Sequence, residues 1–177
     1  MPNSQSKRYE EWIKLSHSIG RPGWNEINFL IPIIQHLARM DCDLDAQDKI
    51  FGGMRERELS GYDPSLFDIY AWNSYIWVLV SYEMVRTLSS YAKEVESPLY
   101  KKLSLIQNTK RAFEELRIPL AKHELAERFS GKRGIKVIPW PILMPGGVGW
   151  RIGEQRVISR SELSMVLFDL FTEISSS

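Results

Sequence analysis

Residues 63–95 read DPSLFDIYAWNSYIWVLVSYEMVRTLSSYAKEV, the longest helix-compatible run in the chain. Asp63 can accept from the free N–H groups of a first turn, and Pro64 has a φ already set for the first helical position, so the pair predicts a helix start. At about 100° per residue, Phe67, Tyr70, Ser74, Trp77, Ser81, Met84, Leu88, Ala92 and Val95 fall on one continuous stripe. That stripe reads as a packing seam, in which Ser74 and Ser81 let another helix come close while Trp77 and Met84 fill the gaps between them. On the opposite face Trp72, Tyr75, Ile76 and Leu79 are apolar, and Glu83, Arg86, Ser90 and Glu94 take the same side one turn later. The first half is therefore expected to be covered all round and the second half on one side only. The apolar run 69–82 is too short to cross a bilayer and is interrupted by Asn73 and Ser74, so a buried core helix is expected.

With 177 residues, 44% of them hydrophobic and 11% aromatic, the chain can bury a substantial core but is short for two full domains. The expectation is a single, mainly α domain over 1–177. It divides into a bundle of about four helices over 7–129 and a C-terminal β-hairpin plus helix appendix over 134–177. A net charge of +1 gives no overall pull toward nucleic acid or membrane. The charge is unevenly spread, with eight acidic and three basic residues over 41–68 against one acidic and seven basic over 128–160. The two regions can face each other within one molecule or across a homodimer. Cys42 stands alone, which excludes an internal disulfide, and the opening MPNSQSKRYEEW lacks the apolar core of a signal peptide. A cytoplasmic location is expected, with no membrane association and no cofactor.

Around the central helix the other elements fall in order. Residues 7–19 predict a short amphipathic helix with Tyr9, Trp12, Ile13 and Leu15 on its apolar side, and His17 near its end as a surface residue. Asn25 is read as the cap of a second helix, with Trp24 stapled on Phe29 and a buried stripe of Ile27, Leu30, Ile31, Ile34, Leu37 and Ala38. Pro32 is expected to bend that helix, and His36 to sit at its core boundary. DCDLDAQD at 41–48 has carboxylates at alternate positions, but Ala46 and Gly52 stand where a calcium loop needs glycine and glutamate. It reads as a solvated acidic loop whose Asp45 caps a short helix, followed by a mobile connection over 50–62. Ser97 and Pro98 open a fourth helix carrying Leu99, Leu103, Ile106, Phe113 and Leu116, antiparallel to the central one. Pro119 is expected to break it near Arg117 and Ile118, with a further helical stretch over 120–129. Pro139, Pro141 and Pro145 favour extended or polyproline-like chain. Residues 148–152 and 156–159 alternate as a hairpin, and Ser159 with Glu162 forms a capping box ahead of a last amphipathic helix.

The histidines and Cys42 lack metal-ligand spacing, and no nucleophile elbow, HExxH, CxxC or dinucleotide fingerprint occurs. The leading reading is a binding or assembly component without catalytic activity, acting as a homo-oligomer or on a protein partner. A second reading starts from RIPLAKH at 117–123. Its spacing resembles the R-x4-6-H pattern of the HEPN superfamily of helical-bundle ribonucleases and their inactive relatives, with Ile118 where that family commonly has a polar residue. The resemblance implies metal-independent RNA cleavage, in which His123 moves protons and Arg117 steadies charge on the phosphate. A third feature is the basic stretch with Trp140 and Trp150 interleaved. Lys132, Arg133, Lys136, Arg151, Arg156 and Arg160 can track phosphates while indoles stack on bases. The alternative is a solvated hairpin anchored to the bundle by its two tryptophans.

Overall fold

Five helices and one three-stranded antiparallel sheet account for the regular structure of the described residues, in keeping with a mainly α chain that ends in a hairpin and a helix. The computed structural model describes residues 4–19, 27–54, 63–123, 139–152 and 156–176. In chain order they form α1 (Ser4–Ser18), α2 (Leu30–Gly52), α3 (Pro64–Tyr91) and a single 3-10 turn (Tyr100–Lys102). Then come α4 (Leu103–Lys122), β1 (Trp140–Met144), β2 (Gly147–Ile152), β3 (Arg156–Ser159) and α5 (Arg160–Ser175).

The central helix starts as its sequence predicts: the Asp63 carboxylate accepts from the Ser65 N–H at 2.9 Å and Pro64 is the first helical residue. That bond also holds the Asp63 carboxyl below its ordinary pKa. Tyr70, Ser74, Trp77, Ser81, Met84 and Leu88 are all buried, so the seam is real. Trp77 lies at its middle, donating from Nε1 to the Leu37 carbonyl at 3.2 Å and meeting Phe113 of α4 at 5.9 Å between rings. Ser74 and Ser81 serve here by size, since neither hydroxyl has a hydrogen-bond partner. Val95, assigned to the same stripe, lies beyond the helix and is exposed.

The second helix corrects the sequence reading most. It runs 23 residues without interruption and takes in the whole of DCDLDAQD, so there is no acidic loop and no helix start at Asp45. Leu30, Ile34, Leu37, Asp41, Leu44, Asp48 and Phe51 recur at threes and fours and are all buried. Two members of that core stripe are thus carboxylates. Pro32 occupies the third helical position, where its missing N–H would have had no intrahelical acceptor, so the helix loses nothing by it. Phe29 precedes the first turn and is 57% exposed, so it is not the inner member of a staple. Asn25, and 55–62 of the expected mobile connection, lie outside the described residues.

What lets α2 carry carboxylates inward is Arg160, the first residue of α5, which is 1% exposed. Its Nη1 donates to Asp41 Oδ1 at 2.8 Å, its Nε donates to Asp48 Oδ2 at 3.0 Å, and its guanidinium lies over the Trp77 ring at 5.5 Å. Asp41 also accepts from Ser164 Oγ at 2.5 Å, Arg8 Nε at 2.9 Å and Trp12 Nε1 at 3.2 Å. Asp48 Oδ1 accepts from the Tyr70 hydroxyl, which in turn accepts from the Val148 N–H at 2.7 Å. Two carboxylates and two guanidiniums therefore balance, and the network ties α1, α2, α3, α5 and β2 together. A buried charge this well bonded escapes most of the penalty for leaving water. Burial would by itself lower the Arg160 pKa, but Asp48 and Asp41 outweigh it and the net shift is upward. One residue of the basic region, Arg160, thus meets two of the acidic region, Asp41 and Asp48, within one chain.

The returning helix is entered through a turn, with Ser97 Oγ accepting from the Leu99 N–H at 3.2 Å before the 3-10 segment leads into α4. The expected break at Arg117 and Ile118 does not occur, because α4 passes through Pro119 and ends at Lys122. Proline there removes one bond to the Glu115 carbonyl, while Leu116, Pro119 and Leu120 are all buried. Packing of that face outweighs the single lost bond. The rest of the stretch expected over 120–129 lies outside the described residues after His123.

The hairpin of β2 and β3 forms as read, and the proline-rich segment ahead of it adds β1 as an edge strand, with Pro141 opposite Trp150. Proline is tolerated on an edge because no partner needs its N–H on that side. The β1–β2 turn requires Gly147 at φ +109°, where an added Cβ would lie 2.6 Å from the Tyr70 oxygen and collide with Asp48. At the start of α5 the capping box is present: Ser159 Oγ accepts from the Glu162 N–H at 3.1 Å, and the Glu162 carboxylate accepts from the Ser159 N–H. Leu163, Leu167, Leu170, Phe171 and Ile174 then bury in the same core as the other helices, with Phe171 edge-on to Trp12 at 5.8 Å.

Candidate functional site

The first half of α3 is not covered all round, contrary to expectation. Trp72 is 61% exposed and Ile69 and Leu66 are also exposed, whereas Tyr75, Ile76 and Leu79 are half-buried. The sequence reading assumed that an apolar second face must be packed. In this fold α2, α4 and the sheet cover only part of it. Beside these residues opens a groove of about 680 Å³. From α3 it is lined by Asp68, Ile69, Ala71, Trp72 and Tyr75. The last turn of α4 contributes Leu120 and the following His123, and the sheet region contributes Pro139, Pro141 and Trp150.

Trp72 and Tyr75 stack nearly parallel, 5.0 Å between ring centres and 16° between planes, presenting a broad aromatic surface. Among the described lining residues Asp68 is the one carboxylate and His123 the one imidazole. His123 closes α4 in the left-handed region at φ 54°, its N–H donating to the Pro119 carbonyl at 2.8 Å. Among the described residues it is the one non-glycine with positive φ. Backbone held in that region costs free energy and concentrates at functional positions.

Arg117 and His123 share α4 but meet different turns of α3. Arg117 Nη2 reaches Glu83 Oε1 at 3.5 Å and its guanidinium lies over the Tyr82 ring at 5.0 Å, whereas His123 lines the groove with Asp68 and Trp72. The cleft that a proline break would have made between them is absent because the helix is continuous. Glu83 is shared with Arg86, whose Nε donates to it at 2.6 Å. Burial, followed by the nearby Glu114, raises the Tyr82 phenol pKa.

Of the basic candidates, Lys132, Arg133 and Lys136 lie outside the described residues. Arg151 is exposed on β2, Arg156 is paired with Glu115, and Arg160 is the core cation described above. Arg160 therefore cannot track a phosphate. Trp150, 2% exposed, anchors the sheet as the alternative reading required, while Trp140, 68% exposed, does not. His17 and His36 are both exposed. Among the described residues no group of three or more histidine, cysteine or carboxylate side chains is placed to hold a metal ion. The Cys42 thiol is buried, its pKa pushed up to about 11 by burial and then by Asp41, which suppresses the nucleophilic thiolate. No helix among the described residues is long and apolar enough to cross a membrane.

Sequence reasoning named Trp72 and Tyr75 but assigned them to the core, and it passed over Asp68, Ile69, Leu120, Pro139 and Pro141 as a set. One signal was present: α3 already has a complete buried stripe, so a second apolar face on the same helix needs its own occupant. Comparison with known protein families, with curated proteins and with solved structures finds no match to this chain.

Proposed function

We propose that this chain is a binding component, without catalysis of its own, that holds a small, largely apolar organic ligand in the groove between α3, the end of α4 and the sheet. The observation that carries the reading is the groove itself: concave, about 680 Å³, and, among the described residues, largely apolar and aromatic with one carboxylate and one imidazole. Ligand sites have this size and this balance of apolar lining with few polar groups. Thermal unfolding of the wild type and of Trp72→Ala, each against a set of aromatic and aliphatic fragments, tests it. Trp72 is exposed, so the variant should fold with a midpoint close to wild type. A bound fragment at a hundred times its Kd stabilises the wild type by about 2.7 kcal/mol, and the shift should be lost in the variant. Absence of any shift, or an equal shift in both proteins, removes the reading.

Assembly with a second copy is the protein-partner form of the same reading. Leu66, Ile69, Trp72 and Val80 give α3 an exposed apolar face, and a homodimer using it would sediment as such and return to monomer in Trp72→Glu. The charge asymmetry lends this little support, since Asp41 and Asp48 are already neutralised by Arg160 and Arg8. RNA cleavage by Arg117 and His123 is the second reading, favoured by the strained backbone of His123 at an open groove. Its assay compares wild type, His123→Ala and Arg117→Ala on mixed single-stranded RNA in EDTA. Activity in the wild type that both variants lose would establish it, and equal activity in all three would end it.

A further inference from the structure

The electrostatics of the groove point to one sign of ligand. Asp68 places a carboxylate in the lining, and it makes no hydrogen bond or ion pair with any other described residue. Leu120 and His123 bring the C-terminal end of α4 to the same groove. A helix C-terminus carries roughly half a negative charge on its unpaired carbonyls and favours cations within its last turn. Trp72 and Tyr75 add the negative faces of two stacked rings, a surface that attracts an ammonium group. Among the described residues no lysine or arginine lines the groove. Three independent sources of negative potential thus converge on an otherwise apolar site.

We infer that the groove selects an organic cation: an amphipathic amine whose aromatic or aliphatic body lies against Trp72 and Tyr75 and whose ammonium sits at Asp68. This rests on the groove being a ligand site and goes further by fixing the charge of what enters. Three probes with one body separate the two statements: phenylbutyltrimethylammonium, phenylbutanol and phenylbutyrate, each titrated by ligand-observed NMR into the full chain in mildly alkaline, low-salt buffer. The cation should bind roughly tenfold tighter than the alcohol, in line with cation–π and carboxylate attraction at a partly desolvated site, and the carboxylate probe should bind weakest. Asp68→Asn should weaken the cation's preference over the alcohol several-fold, while Glu94→Gln, a remote exposed carboxylate, should leave the order of the three intact. Equal binding of cation and alcohol, tighter binding of phenylbutyrate, or an unchanged preference in Asp68→Asn overturns the inference and leaves the ligand site standing. Failure of all three probes to bind overturns both.

Discussion

Two clusters of arginine and carboxylate touch α3, and they are built from the same chemistry with opposite consequences. In one, Arg160, Asp41 and Asp48 are out of contact with water and every oxygen and guanidinium edge is engaged by a neighbour, including Tyr70 and Trp77 of α3 itself. In the other, Arg117 and Arg86 share Glu83 on a half-exposed face of the same helix. Water competes for the second and cannot reach the first. The contact geometry is similar, so exposure decides which pair holds the fold: a surface pair is worth about 0 to 1 kcal/mol, while removing one partner of a buried pair costs about 3 to 5 kcal/mol.

The strongest way to break the buried cluster is Arg160→Met, which keeps length and apolar volume but leaves Asp48 without its cation and Asp41 with Arg8 in its place. Urea unfolding should show a loss of about 3 to 5 kcal/mol; a loss under 1 kcal/mol would mean that water enters the site and the contrast with the surface cluster fails. Tyr70→Phe comes next, because it removes a hydroxyl that donates to Asp48 and leaves the Val148 N–H without its acceptor. A loss of about 1 to 3 kcal/mol is expected by the same measurement.

A pH series sharpens the comparison further. Burial, followed by the bond to Asp48, raises the Tyr70 phenol above its ordinary value, and Cys42 is raised from 9.0 to about 11. Well below pH 9 both groups are protonated in the folded and unfolded chain and contribute nothing to the slope. Above it the unfolded chain releases protons that the folded one retains, so fewer protons are bound on unfolding and stability falls as pH rises. The urea midpoint should decline from about pH 9 upward, and the double variant Cys42→Ala with Tyr70→Phe should decline less steeply. Equal slopes would show that these groups are not shielded. The smallest effect belongs to the surface cluster. Glu83→Gln should change stability by about 0.5 kcal/mol or less, and a loss comparable to that of Arg160→Met would erase the distinction between the two regions.

Much of this architecture was legible because local rules acted alone. Asp63 and Pro64 start α3, Ser159 and Glu162 start α5, and the alternation around 148–159 marks β2 and β3, each depending on residues within a few positions of each other. α2 was misread where a local rule met a distant partner. Asp41 and Asp48 occupy core positions of a helical stripe, and treating aspartate as a loop former concealed a periodicity that Leu37, Leu44 and Phe51 continue on either side. Pro119 was misread in the opposite sense. One lost hydrogen bond is small beside the burial of Leu116 and Leu120 around it.

By itself the sequence determined where α3 and α5 begin, which face of α3 is a seam, and that the chain is mainly helical, since caps, prolines and apolar spacing are properties of neighbours along the chain. Only the tertiary structure decided that Arg160 neutralises two aspartates more than a hundred residues away. It also decided that Trp72, Tyr75, Asp68 and His123 border one open groove. Periodicity specifies that a face is apolar; what covers it depends on where distant elements come to rest, and along the first half of α3 they stop short.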